Sequence, residues 1–108
     1  MPVKSILILP LNYWGNKMAG TLVKDLEIKN IKGLHARAAA AFVKTLEPFD
    51  AEIEVERIGQ KVSGSSIMGL MMLAASKGTT IKVSAKGKQA KDAMDALEKL
   101  INNKFGED

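Results

Sequence analysis

From Leu22 onward the hydrophobic and polar positions switch between a two-residue and a helical period. In Leu22-Val23-Lys24-Asp25-Leu26-Glu27-Ile28, the residues Leu22, Leu26 and Ile28 share one face, the pattern of a half-buried strand. Asn30 to Gly33 supply turn chemistry. Ala36 to Glu47 then takes helical spacing, with Ala39, Val43 and Leu46 at i, i+4 and i+7 and Phe42 beside them. Pro48 ends that helix. Ala51-Glu52-Ile53-Glu54-Val55-Glu56 alternates strictly and predicts a strand with its carboxylates toward water. Gly59-Gln60 turns the chain into a short return strand through Val62.

Gly64-Ser65-Ser66 opens a second helix predicted over Ile67 to Ala75, with Ser66 placed to cap it and Gly78 to stop it. Thr79 to Ala85 alternates again, and Gly87 breaks the strand. The last helix shows the clearest stripe, Ala90, Ala93, Met94, Leu97, Leu100 and Ile101. The order βαββαβα, with every helix needing one sheet face, predicts an α+β open-faced sandwich.

Residues 1–21 stand apart. Pro2, Pro10, Gly15 and Gly20 interrupt them and no period is sustained, so they are expected to form a flexible or weakly docked extension before a domain spanning 22–108. With 108 residues, 46% of them hydrophobic and 26% charged, the chain has the balance of one small globular domain. The net charge of +4 is modest, and half of it comes from Lys4 and Lys17. Aromatic residues make up 5%, too few for a sheet that stacks bases among cations, so nucleic acid is not an expected partner. The absence of cysteine removes disulfides and thiolate chemistry and makes the reducing cytoplasm the expected compartment. No apolar run reaches the roughly 18 to 20 residues of a membrane span. A single histidine leaves no His-cluster metal site, and neither metal nor cofactor is expected.

The chemistry concentrates at Gly33-Leu34-His35-Ala36-Arg37, where a loop enters the first helix. His35 falls at or beside the N-cap, facing the helix's free N–H groups and the positive end of its dipole. That field disfavours imidazolium and predicts a neutral, nucleophilic ring near pH 7. The same donors suit an anion bonded to the ring, and Arg37 adds a permanent positive charge. On spacing alone, a lone histidine at a helix start is more often a capping or surface residue than a nucleophile.

Gly33-Leu34-His35-Ala36-Arg37, continued by Ala39-Ala40 and Phe42-Val43-Lys44, resembles the active-site segment of the histidine phosphocarrier HPr family. Val62-Ser63-Gly64-Ser65-Ser66-Ile67-Met68-Gly69-Leu70-Met71 resembles that family's second-helix signature, at a fitting separation. The resemblance implies a four-stranded antiparallel sheet covered on one face by three helices. It also implies a phosphoenolpyruvate-dependent relay in which enzyme I phosphorylates His35 on Nδ1 and an enzyme IIA protein takes the group onward. Arg37 would assist, and the protein would act as a monomeric carrier with no turnover of its own. The family usually has proline after the arginine, where this chain has Ala38. Alanine keeps the helix start while giving up some rigidity, so fine geometry is what the change touches.

The second helix is apolar around nearly its whole circumference, so either part of it faces water and marks an interface, or it is a deeply buried helix or loose core filler. By the resemblance, Ile67, Met68 and Met71, with Ala40 and Lys44 from the first helix, contact enzyme I and enzyme IIA. Ser66 matches the serine that a dedicated kinase, paired with a phosphorylase, modifies in some members. Asp50-Ala51-Glu52-Ile53 after Phe49, Met72-Leu73 with Ser76-Lys77-Gly78, and the Phe105-Gly106-Glu107-Asp108 end are similar to the nitrogen-related branch and to α-proteobacterial HPr. A sugar-uptake carrier with the same chemistry, or an HPr-like regulatory module that carries no phosphate, are the alternatives.

Overall fold

The computed structural model describes residues 21–107, and the expectation for residues 1–20 lies outside them. The described chain runs β1 (Thr21–Glu27), α1 (Ala36–Leu46), β2 (Glu52–Arg57), β3 (Gln60–Ser63), α2 (Ile67–Met72), β4 (Thr80–Lys86) and α3 (Ala90–Asn102). A 3₁₀ turn over Lys104–Gly106 follows. Thr21, expected to belong to the extension, instead opens β1 opposite Lys86.

The four strands form one antiparallel sheet in the order β1-β4-β2-β3. Its register follows from the two-residue period. Leu26 pairs with Ile81, Leu22 with Ala85, Val83 with Val55 and Val55 with Val62, an apolar row on one face. On the other face Glu56 stands opposite both Lys82 and Lys61, and Glu52 meets Lys86 at 3.3 Å. Opposed charges of this kind keep the outer face in water without like-charge repulsion.

All three helices cover the apolar face. Phe42 and Ala39 of α1, Leu70 of α2, and Met94, Leu97 and Ile101 of α3 are buried against Ile81, Val83 and Val55. The architecture is therefore the open-faced α+β sandwich that the periodicity predicts. No helix among the described residues is long and apolar enough to cross a membrane.

One element is shorter than its pattern. The second helix was predicted to reach Ala75, but α2 ends at Met72. Leu73 and Ala74 donate to the carbonyls of Leu70 and Met71, three residues back, and Ala74 turns the chain with φ 51°. The Arg57 guanidinium holds the Leu73 carbonyl at 3.0 Å. Leu73 and Ala75 remain buried, filling the core from the turn. Burial accounts for their apolar character, and the periodicity cannot separate that from helix.

Candidate functional site: the loop before the first helix

The site begins with a buried side chain. Asn30 is fully buried, and its amide nitrogen donates to the Gly33 carbonyl at 2.8 Å and to Glu107 Oε1 at 3.0 Å. Its Oδ1 has no hydrogen-bond partner among the described residues. The loop that Asn30 braces is docked from the other side as well, because the Leu34 N–H donates to the Ala75 carbonyl at 2.9 Å. Gly33 makes that approach possible. It has φ 67°, and a Cβ there would overlap the Ala75 carbonyl oxygen and lie 2.9 Å from Ser76 Cα. The turn after α2 thus fixes the height at which the loop enters α1.

His35 is the N-cap of α1, in extended conformation, and its carbonyl accepts from the Ala39 N–H at 2.8 Å. Its side chain makes no cap hydrogen bond. Nε2 lies instead 2.6 Å from Glu107 Oε2, with the imidazole 28% and the carboxylate side chain 16% exposed. The helix field expected from the sequence is not the only one at this ring. Glu107 adds an opposite charge at contact distance, so two opposing fields act on His35. The Glu107 carboxyl is held below the usual carboxylate range, chiefly by the Asn30 amide and then by His35 and Lys32, with partial burial opposing.

Glu107 reaches the ring because of the turn that precedes it. Lys104 and Phe105 carry φ 57° and 55°, a left-handed backbone that L-residues rarely adopt, and Gly106 follows at 77°. Burial of Phe105 and the Glu107 N–H to Lys104 carbonyl bond of 2.8 Å hold the hook. Neither the Asn30 nor the Glu107 contact is visible in local periodicity. The only sequence signal is an isolated phenylalanine just past the end of α3.

Ile31, Lys32, His35, Arg37, Phe105 and Glu107 line an open concavity of about 750 Å³. Arg37 is exposed on the first turn of α1, beside His35 as its spacing predicts. Ala38, in the position where proline was expected by resemblance, is fully buried, and α1 starts normally across it. An imidazole, a guanidinium and a helix start placed together can receive an anion and offset its charge. Among the described residues no three metal-ligating side chains cluster.

The chain matches the family model for the phosphotransferase-system HPr component phosphorylation site over residues 22–103. It belongs to the HPr family. The phosphocarrier protein HPr of Neisseria meningitidis is 49% identical over 86 residues, covering 80% of this chain and 97% of that protein. The HPr of Pseudomonas putida is 51% identical over 85 residues, 78% of this chain and 94% of that protein. The crystal structure of HPr from Thermoanaerobacter tengcongensis superposes with a TM-score of 0.77 at 47% identity, over 81% of this chain and 98% of that one. The HPr family is one of phosphohistidine carriers in the phosphotransferase system, and the four-stranded sheet with three helices is its fold.

The remaining residues singled out in the HPr-like pattern lie outside the concavity. Ser66 caps α2, its hydroxyl accepting from the Gly69 N–H at 2.9 Å. Ile67, Met68, Met71 and Met72 are 40%, 72%, 40% and 63% exposed, while Leu70 and Leu73 are buried. The helix thus divides into a core side and a water-facing apolar side. Ala40 and Lys44 are exposed on α1, on the helical face that carries Arg37.

Proposed function

We propose that His35 accepts a phosphoryl group from enzyme I and passes it to an enzyme IIA protein, in the nitrogen-related branch of the phosphotransferase system. The observation that carries the reading is a partly exposed imidazole at the N-terminus of α1, sharing an open concavity with Arg37. Attack by the ring on phosphorus brings a dianionic group to the helix start, where free N–H groups and Arg37 offset its charge. The partner docks on Ile67, Met68 and Met71, with Ala40 and Lys44 alongside, and supplies the rest of the machinery. Methionine suits this surface because it repacks against more than one partner.

Ser66 is the site at which a kinase would gate the relay. Phosphorylation there adds roughly −1.5 to −2 charge at a helix N-terminus, tolerated by the backbone and costly at an apolar interface. The branch assignment rests on the segments around Asp50, Met72 and Phe105. It is tested by comparing transfer from the phosphorylated protein to a nitrogen-related and to a sugar-specific enzyme IIA. Faster transfer to the sugar-specific acceptor would replace the branch while keeping the carrier chemistry. Arg37→Ala is expected to slow transfer with stability unchanged, and an unchanged rate would remove Arg37 from the mechanism.

A further inference from the structure

We infer that Glu107 is a positioning residue: it holds the proton of His35 on Nε2, leaves Nδ1 as the nucleophile, and offsets the charge the ring gains on phosphorylation. This deepens the carrier reading above and rests on it for the transfer step. The Nε2 to Oε2 distance of 2.6 Å is that of a strong, charge-assisted hydrogen bond. An ionised carboxylate only accepts, so the proton of a neutral ring sits on Nε2 and the free lone pair on Nδ1. Among the described residues nothing hydrogen-bonds Nδ1, and the α1 N–H groups make no bond to the ring.

Glu107 is itself fixed. Its second oxygen accepts from Asn30, whose other bond braces the Gly33 carbonyl in the loop that carries His35. The left-handed hook anchored by buried Phe105 delivers the carboxylate to this point. The other charged groups lining the concavity are the cations Lys32, from the loop, and Arg37, from α1. Glu107 is therefore the one carboxylate there among the described residues.

In the step this geometry serves, the Nδ1 lone pair forms a bond to phosphorus. The donor's bond to phosphorus breaks, and its electron pair leaves with the donor. Nε2 keeps its proton and the ring becomes cationic, facing Glu107. When the group moves on, a lone pair of the acceptor forms the new bond to phosphorus, the nitrogen–phosphorus bond breaks and its pair returns to Nδ1.

The test combines long-range ¹H–¹⁵N spectra of the neutral His35 ring with single-turnover transfer from phosphorylated enzyme I, in wild type, Glu107→Ala and Glu107→Gln. Wild type is expected to show one species protonated on Nε2, and Glu107→Ala a mixture of both proton forms. Transfer to Glu107→Ala should fall by about tenfold or more, the size seen when the carboxylate that orients a metal-bound imidazole is lost. Glu107→Gln, equal in size, has one accepting oxygen for the two donors Asn30 and His35, so it should lose the uniform Nε2-protonated form and transfer more slowly than wild type. A wild-type ring protonated on Nδ1 overturns the inference, as does Glu107→Ala with an unchanged spectrum and rate. Glu107→Gln at the wild-type rate overturns the charge role. Wild type that takes no phosphate, with the spectra as expected, refutes the carrier reading and leaves the proton assignment standing.

Discussion

Gly33→Ala tests whether the site loop depends on contact with the turn after α2. Two costs add. The new side chain must adopt φ 67°, which costs about 1–2 kcal/mol for an L-residue. Its Cβ also overlaps the Ala75 carbonyl and approaches Ser76 Cα to 2.9 Å, and these are backbone atoms that cannot swing aside. Relief requires the loop to lift, which sacrifices the Leu34 to Ala75 hydrogen bond, a further loss of about 1 kcal/mol. The sum, about 2–3 kcal/mol, lowers Tm by roughly 10–20 °C for a domain of this size. Gly78→Ala is the internal control. Gly78 has φ 88° with nothing within 4 Å of a Cβ, so it incurs the conformational cost alone. Urea and thermal unfolding of both variants should rank Gly33→Ala clearly below Gly78→Ala, and transfer through His35 should fall only in the former. Equal destabilisation of the two would refute the reasoning, because the close approach would then contribute nothing.

Met68→Asp, at a side chain 72% exposed, should change stability by less than about 0.5 kcal/mol while weakening enzyme I binding. Leu70→Ala, two residues on and fully buried, should cost about 2–5 kcal/mol, and a large loss at Met68 in thermal melts would place that residue in the core. Ser66→Ala should lose about 1 kcal/mol of cap energy, whereas Ser66→Asp keeps the cap and slows transfer; equal transfer rates in the two would leave Ser66 with the cap alone. Glu107 has a folded-state pKa below its unfolded value, so its contribution is complete above the ordinary carboxylate pKa of about 4.3 and fades as pH falls through the lowered folded value. Acid unfolding followed by circular dichroism should therefore show a shallower decline below that point for Glu107→Gln, and superimposable acid limbs would show that the Asn30 and His35 bonds do not favour the ionised form.

Local periodicity made most of the fold legible. Alternation in the segment around Val55 set both the pairing of Val55 with Val83 and the charged outer face, because a slip of one residue would turn Glu54 inward. The cap at Ser66 and the two-sided character of α2 were legible for similar reasons, since a short helix on a sheet has only one face to bury. The early end of α2 was not, because Leu73 and Ala75 are apolar for the core they fill rather than for a helix they extend. At the site, the sequence placed His35 at the helix start but not its partner. Glu107 lies 72 residues away, brought there by a hook whose left-handed residues, Lys104 and Phe105, carry no turn signature. Asn30 reads as an ordinary turn residue, and only the packed structure shows that it is buried and bridges the loop to that carboxylate.

Phosphate mapping after incubation with phosphoenolpyruvate and enzyme I tests the central claim most directly. The account predicts one acid-labile, base-stable phosphate per chain on His35, and none on a folded His35→Ala variant. Label retained by His35→Ala at the wild-type level would contradict it.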